Sequence, residues 1–420
     1  MFDQAMMSLG TFLAGVLVAR ANSKEDFGIY VLGFSIVSIA LNLHRAIVVL
    51  PFTIYCPQLD DDQRKSYQAS AFIHTILLSI VVLIALILWF LWVDDKNNAT
   101  TLGMLDAAPY LGFLLMPYLL REFMRSASLA QLQFLSSMLA NVTASVLMMA
   151  LLLVAFFSNN LTVKNAYACI GMASLTAVIA LLWRNRHHMT IRLDKLGRDL
   201  RRSLILGRWL IGNMLAFTVI SQIYPWLVLY FVDSAAVAAF GAALAVAGVM
   251  MPFLRGANAY LLPRMTHSRK RTDNNKDLYR IMNKSVLILL LPFGIWTVFG
   301  SLFAEPIMTF FYSDKYHGYG IVVSLLIIKT MIESVSTPMT SALQALERPN
   351  ITTASLIFGA ILSMLFGYFL IRNFSLVGAG LAAVIASLGT ALWKWTALKR
   401  LGQINQVNET DKVSDATKIS

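Results

Sequence analysis

Several charged side chains lie inside long apolar stretches of this 420-residue sequence, where a charge needs a reason. An arginine or lysine at the centre of a membrane-spanning helix costs at least ~2.5–3.5 kcal/mol on insertion scales. The arginine guanidinium keeps its charge at all physiological pH values and donates paired hydrogen bonds to carboxylates and phosphates. Arginines at such positions therefore indicate that the protein binds an anion.

Arg45 and Arg255 are the first two candidates for such a role. Arg45 follows Phe27 by eighteen residues and precedes Pro57 by twelve, and Arg255 precedes Pro263 by eight. The alternative for each is that its side chain snorkels to the headgroup region. That is easy for Arg255, because eight residues of helix span only ~12 Å.

Two further groups of charges have helical spacing. Lys329 and Glu333 are four residues apart in one apolar stretch, so they share a helix face and can pair. Glu333 could then take up a coupling proton or sodium ion, or the two could form a purely structural ion pair. Arg121 and Arg125 also share a face, at the end of another stretch, where they could capture a phosphate group or snorkel.

These charges belong to a chain that is mostly apolar. Of its residues 58% are hydrophobic and 13% charged, whereas a soluble domain carries about 25% charge. The apolar stretches are about as long as a bilayer is thick, so each predicts a transmembrane helix. The sequence therefore predicts an all-α polytopic membrane protein with about twelve spans: 1–21, 27–54, 69–93, 102–123, 134–157, 165–183, 204–232, 236–261, 284–303, 319–342, 351–371 and 376–398.

The net charge of +12 has an uneven distribution over the predicted loops. With twelve spans, 24 basic residues fall on the side of the two termini and six on the other side. Basic residues concentrate in cytoplasmic loops, so both termini are predicted to lie in the cytoplasm. The excess positive charge is a topology signal, and we expect no binding of nucleic acid.

The longest polar break, 184–203, divides the chain into halves of six predicted helices. We expect an N-terminal lobe at 1–183, a basic cytoplasmic linker at 184–203, a C-terminal lobe at 204–398 and a disordered cytoplasmic tail at 399–420. Equal halves suggest an internal duplication. Phe27-Gly28 and Phe240-Gly241 open the second helix of each half, which supports it weakly.

Motifs for cofactor or metal chemistry are missing from the sequence. The two cysteines, Cys56 and Cys169, form no spaced set, so we expect inert thiols, no metal site and no cofactor. A glycine-rich Lys-Ser/Thr phosphate loop is also missing, which disfavours an ATP-driven pump.

Short motifs near the ends of several spans resemble those of the polysaccharide (O-antigen type) flippases of the multidrug/oligosaccharidyl-lipid/polysaccharide exporter superfamily. The motifs are Asp3-Gln4-Ala5, Glu25-Asp26-Phe27-Gly28, Pro51-Phe52, Gly207-Arg208-Trp209, Leu262-Pro263-Arg264 and Leu346-Glu347-Arg348-Pro349. The resemblance covers the whole chain in helix count and topology, although hardly any sequence precedes Asp3, where relatives often have a lead-in.

The resemblance implies two six-helix lobes in a MATE-like inverted V, in the cytoplasmic (inner) membrane. It implies a flippase that moves a polyprenyl-diphosphate-linked oligosaccharide to the outer leaflet by alternating access. Membrane lipids would surround it, and the polymerase and chain-length proteins of the same pathway are candidate partners. Arg45, Arg255, Lys329, Arg121 and Arg125 would then bind the diphosphate, with Glu333 as the ion-coupling residue.

Two other functions remain open on the sequence. A drug or metabolite antiporter of the same superfamily would need buried carboxylates for cationic drugs, and the chain offers buried arginines instead. A membrane polysaccharide polymerase or acyltransferase would be an enzyme. Polymerases need a substantial external loop, whereas all the external loops here are short, and the histidines His44 and His74 match an acyltransferase site poorly. A transporter rather than an enzyme is therefore expected.

Overall fold

The computed structural model describes residues 2–92, 99–184, 190, 195–271 and 276–418. Within these ranges the chain is helical and contains no β-strand. The helices are α1 Phe2–Ala21, α2 Lys24–His44, α3 Leu50–Tyr55, α4 Asp61–Trp92, α5 Ala99–Ala130, α6 Phe134–Phe157, α7 Val163–Arg184, α8 Leu196–Phe231, α9 Ser234–Ala247, α10 Met251–Arg271, α11 Lys276–Leu302, α12 Ala304–Tyr312, α13 Gly320–Ala345 and α14 Pro349–Lys418.

Among the described residues, ten helical segments are long and apolar enough to cross a membrane. Helix α1 adds a shorter apolar helix, Met6–Ala21. Helix α14 contains a break at Ser375, where φ is 49° and ψ is −129°. A Cβ at Gly378 would lie 2.0 Å from the Leu370 carbonyl oxygen, so the two parts of α14 meet closely at this break. Counting α1 and dividing α14 gives twelve spans, which confirms the predicted all-α polytopic membrane fold.

The second span is interrupted just before a proline. Pro51 has no N–H to give to the carbonyl one turn earlier, and the helix widens into a π-helical turn at Arg45–Val49. The N–H of Leu50 accordingly bonds to the carbonyl of Arg45, five residues back. The interruption places Arg45 at the start of an irregular turn rather than inside a regular helix.

The eighth span has a related interruption. A 3₁₀ turn, Gly248–Met250, separates α9 from α10 just before Pro252. Matching Pro252 with Pro51 is consistent with the predicted duplication. Measured from these prolines, Arg45 lies six residues before and Arg255 three residues after, a difference of nine residues or ~13 Å of helix. On this alignment the two arginines do not occupy equivalent sequence positions.

The chain forms two compact units. The first contains the residues up to Val246 together with Met308–His317, and the second contains Ala247–Ile307 and the residues from Gly318 onward. The first unit thus extends past the lobe boundary expected at residue 204, so the division into two six-helix lobes stays a prediction. Within the predicted linker at 184–203, residues 185–189 and 191–194 lie outside the described residues, and α8 begins at Leu196. Helix α14 runs through most of the stretch expected to be a disordered tail.

Each unit has an apolar core of its own. In the first unit Phe52, Tyr67 and Phe123 are buried together, with the Phe52 and Tyr67 rings stacked at 5.6 Å between centroids. In the second unit Met265, Leu278 and Leu343 pack together where α10, α11 and α13 meet. The first core fixes the π-helical turn against α5, and that junction carries the charged groups described next.

Candidate functional site

Arg45 meets two charged residues of α5 in the first unit. Its Nη2 atom donates to Oε1 of Glu122 at 3.0 Å. Arg125 binds the same carboxylate through one edge of its guanidinium, with Nε donating to Oε2 at 2.9 Å and Nη2 to Oε1 at 2.8 Å. Two guanidinium groups thus share one carboxylate. This group of three, called the arginine–glutamate cluster below, has a formal charge of +1.

Burial differs sharply among the members of the arginine–glutamate cluster. The side chains of Glu122 and Arg125 are 8% and 15% exposed, whereas that of Arg45 is 42% exposed. Among the described residues, Nε and Nη1 of Arg45 have no hydrogen-bond partner. Glu122 therefore binds one terminal nitrogen of the Arg45 guanidinium. The remaining N–H donors of that guanidinium are available to a ligand.

Local structure explains how these side chains meet. Glu122 and Arg125 are three residues apart on α5 and so lie on one face. The neighbouring Phe123 packs edge-on against Phe52 at 5.3 Å between ring centroids, which fixes α5 beside the π-helical turn. The sequence places no acidic residue within one turn of Arg45 on its own helix, and the structure supplies Glu122 from α5 instead.

Arg121 is predicted to share a face with Arg125, but its contacts are different. Its guanidinium carbon lies 4.7 Å from the centroid of the Tyr118 ring, a cation–π geometry. It lines a cavity of about 20 Å³ between α1, α2, α5, α6 and α7, and no member of the cluster is among the lining residues. Helix α5 also continues to Ala130, so Arg121 is more than two turns from its end. A role for Arg121 in binding the substrate stays a prediction.

The second unit holds the remaining candidates. Nζ of Lys329 lies 2.8 Å from Oε1 of Glu333, so the predicted pairing is present, and the functional roles of both stay predictions. Arg255 is exposed on α10 and belongs to this unit, whereas Arg45 belongs to the first.

Lys394 is a charged residue that the sequence pattern did not mark as a candidate. The Trp393-Lys394-Trp395 motif predicts an interfacial position, and both tryptophans are indeed exposed. Lys394 itself is only 7% exposed, and its Nζ donates to Oγ of Ser336 at 2.9 Å. It lies within electrostatic range of Glu333. The signal was a lysine between two lipid-facing tryptophans, since the residue between them must point the other way.

In the described part of the chain, no three His, Cys, Asp or Glu residues come together as a metal site would need. Cys56 is buried and Cys169 is half-buried, and both are free thiols. The candidate site is therefore the arginine–glutamate cluster, whose chemistry is the binding of an anion.

Comparison with known sequences identifies the family. Residues 17–321 match the family described as "Polysaccharide biosynthesis protein". The chain belongs to this family. A curated relative, the "Probable low-salt glycan biosynthesis flippase Agl15" of Haloferax volcanii, is 21% identical over 207 residues, which cover 46% of this chain and 43% of that protein. The match thus spans less than half the length of that relative.

Solved structures share the fold over nearly the whole chain. An inward-facing multidrug resistance MATE family transporter of the MOP superfamily has a TM-score of 0.75 at 14% identity, covering 94% of this chain and 96% of its own. The lipid II flippase MurJ, in an inward closed conformation, has a TM-score of 0.74 at 11% identity, covering 95% and 87%. The predicted MATE-like fold is confirmed. Each of these relatives is named as a flippase or transporter, in agreement with the prediction of a transporter rather than an enzyme.

Proposed function

We propose that this member of the polysaccharide biosynthesis family flips a polyprenyl-diphosphate-linked oligosaccharide from the inner to the outer leaflet of the cytoplasmic membrane. The family, the flippase relative and the MATE-like fold support a lipid-linked glycan as the substrate class. Alternating access of two six-helix lobes would expose the site to each side in turn. Both termini would lie in the cytoplasm, and the polymerase and chain-length proteins of the pathway are candidate partners.

The observation that carries the proposal is the half-exposed Arg45 in a cluster of net positive charge. A buried guanidinium fully paired with carboxylates would have no remaining capacity for a ligand. Arg45 keeps two nitrogens available, and the second guanidinium, of Arg125, already binds both oxygens of Glu122. A diphosphate offers several acceptor oxygens and a charge of opposite sign, which is what an arginine fork with spare donors recognises.

Charges of the second unit would contribute to substrate binding or to coupling. Lys329 and Arg255 are candidates for the diphosphate, and Glu333 is the candidate for a coupling proton or sodium ion. The ion pair between Lys329 and Glu333 is equally suited to joining helices within this unit. Transport driven by an imposed ion gradient separates a coupling role of Glu333 from a structural one. A Glu333→Gln variant should lose this gradient-driven transport if Glu333 is the coupling residue.

A drug antiporter is the second candidate, because a multidrug transporter has the same fold. Cationic drugs need an uncompensated carboxylate. Glu122, the buried carboxylate of the first unit, is already bound by two arginines. The charge of the cluster therefore favours an anionic substrate over a cationic one.

Substitution of Arg45 tests the proposed function. In vesicles containing a fluorescent polyprenyl-diphosphate-linked sugar, the wild type should move the probe to the leaflet that a membrane-impermeant quencher reaches. Arg45→Ala should reduce the rate at least ~10-fold, because losing a hydrogen bond to a charged group costs ~1.5–3 kcal/mol. Arg45→Lys should recover only part of the rate, since an ammonium keeps the charge but not the paired donors. Arg45→Glu should be inactive.

The matched control is Arg198→Ala, which removes an exposed arginine of α8. It should transport at the wild-type rate. Equal amounts of each variant in the vesicles must be verified, so that a low rate is not a failure to insert. If Arg45→Ala flips the probe normally, Arg45 snorkels and the proposed role of the cluster is wrong.

A further inference from the structure

Gln222 is a polar residue in the middle of a membrane span that the proposed function leaves unexplained. It belongs to α8, whose apolar, membrane-spanning part is Leu210–Phe231. Its side chain is half-buried, and in the part of the chain that the structure describes it has no hydrogen-bond partner. Withdrawing an amide from water without giving it a hydrogen bond is costly. An open amide at this depth therefore indicates contact with water or with a polar ligand.

Two hydrogen bonds show which way this face of α8 points. Nδ2 of Asn42 donates to Oγ1 of Thr218 at 3.1 Å. Nε1 of Trp226 donates to Oγ of Ser35 at 3.0 Å. Thr218 and Trp226 lie four residues before and four residues after Gln222, so the three side chains share one face of α8. Gln222 therefore faces α2, between two points where polar groups already join the helices.

The same two bonds fix the register of α8 against α2 within the first unit. From one bond to the other α8 advances by eight residues while α2 goes back by seven, so the two helices run antiparallel. Gln222 lies halfway and is therefore opposite residues 38–39 of α2. Arg45 lies six to seven residues further along α2, which corresponds to ~10 Å of helix. Trp226, opposite Ser35, is ~15 Å from Arg45 by the same measure.

Trp226 adds a fixed aromatic ring to this face. Its indole is half-buried, and besides the bond to Ser35 it meets the Trp89 ring of α4 almost perpendicularly, at 5.6 Å between centroids. These two contacts hold the indole in one orientation. An amide both donates and accepts hydrogen bonds, and an indole presents an apolar ring. A sugar ring, which has hydroxyls at its edge and C–H groups on its faces, suits this combination.

We propose that Gln222 and Trp226 bind the sugar nearest the diphosphate of the lipid-linked glycan. The inference rests on the proposed function, in which Arg45 binds the diphosphate. The Gln222 amide exchanges hydrogen bonds with the hydroxyls of that sugar, and the Trp226 ring packs against its C–H groups. The distance from Arg45 leaves room for a diphosphate followed by one sugar ring. These two residues then discriminate between glycans, whereas Arg45 recognises the diphosphate that all such lipids share.

Equilibrium binding to the purified full-length protein in detergent tests this site without requiring transport. The two probes are a fluorescent polyprenyl diphosphate that carries one N-acetylhexosamine and the same lipid without the sugar. The wild type should bind the sugar-carrying probe ~3–10-fold more tightly, the usual effect of one neutral hydrogen bond. Gln222→Met keeps the length of the side chain and removes its amide. It should lose most of this preference and bind the sugar-free probe as the wild type does.

Further variants separate the sugar site from its surroundings. Trp226→Leu should lower the preference for the sugar-carrying probe as Gln222→Met does. Ser221→Ala removes a neighbouring hydroxyl of α8 that already donates to the Thr218 carbonyl at 3.2 Å, so it should leave the preference unchanged. Arg45→Ala should weaken the binding of both probes by the same factor, because it removes a contact with the diphosphate.

Equal binding of the two probes by the wild type would overturn the proposal, as would a Gln222→Met variant that keeps the full preference. A Gln222→Met variant that loses both probes equally would overturn it too, since the residue would then act on the fold or on the diphosphate. Absence of saturable binding of either probe would contradict both the sugar site and the proposed function. If the preference behaves as expected but the wild type moves no probe in vesicles, the sugar site stands and the proposed transport is wrong.

Discussion

Glu122 joins two guanidinium groups that would otherwise repel each other in a low-dielectric environment. Replacing it in a Glu122→Gln variant leaves Arg45 and Arg125 as like charges side by side. Removing one partner of a buried ion pair costs ~3–5 kcal/mol, and the 42% exposure of Arg45 reduces this to about 2–3 kcal/mol. We expect a clearly lower midpoint of thermal unfolding in detergent, measured by the fluorescence of the tryptophans.

The control for this variant is another carboxylate with the same spacing to its arginine. Asp61 pairs with Arg64, three residues on, and its side chain is 77% exposed. An exposed ion pair contributes at most about 1 kcal/mol, so Asp61→Asn should barely move the midpoint. Equal shifts for both variants would mean that the arginine–glutamate cluster is solvated and contributes no more than a surface pair.

At the scale of single residues, the sequence predicted what spacing along one helix determines. The four-residue spacing of Lys329 and Glu333 predicted their contact, which is present. Glu122, the partner of Arg45, lies 77 positions further along the chain, on α5. The two side chains meet because α5 packs against the π-helical turn, and spacing along one helix does not predict that packing. Lys394 was missed for the same reason, because hydropathy gives the depth of a residue but not the direction of its side chain.

At the scale of the helices, close approach between backbones depends on glycine. A Cβ at Gly28 of α2 would lie 2.0 Å from the Ser234 carbonyl oxygen at the start of α9. The obstructing atom belongs to the backbone and cannot rotate away. Gly28→Ala should therefore separate the two helices and destabilise the protein by about 1–3 kcal/mol, the usual cost of overpacking, seen as a lower midpoint of thermal unfolding.

Gly15 of α1 provides the comparison. No atom lies within 4 Å of a Cβ placed there. Gly15→Ala should be neutral or stabilise the helix by up to about 1 kcal/mol, since alanine has the higher helix propensity. If Gly28→Ala unfolds at the same temperature as Gly15→Ala, α2 and α9 are not in contact in the protein.

The positions of the helices followed from hydropathy, but their irregular turns did not. Pro51 and Pro252 predict a break, whereas neither residue says whether the helix widens or tightens in response. The structure has a π-helical turn before one and a 3₁₀ turn before the other. A proline in the sequence predicts the break but not the type of turn that forms before it.

At the scale of the whole molecule, the number of spans was predictable because the bilayer thickness fixes the length of each apolar segment. The grouping of those spans was not. The residues from 204 to Val246 belong to the first compact unit, together with the distant Met308–His317. Contacts such as Trp226 Nε1 to Ser35 Oγ, at 3.0 Å, join α8 to α2 in this unit. The predicted lobes were divided at the longest polar loop of the sequence. The two compact units are instead defined by contacts between residues that can be far apart along the chain.

Orientation in the membrane is the property that the charge distribution predicts most directly. The loops on the side of the termini hold 24 basic residues and those on the other side six, a bias typical of cytoplasmic loops. Reporter domains fused after Arg202 and after Lys412 should therefore be active in the cytoplasm, and reporters fused near Lys96 and Lys315 should be active outside. Paired reporters, one active only inside and the other only outside, control for expression at each position. A cytoplasmic signal at Lys315 would mean that the number of spans before it differs from the predicted number by an odd number. That result would contradict the twelve-span topology.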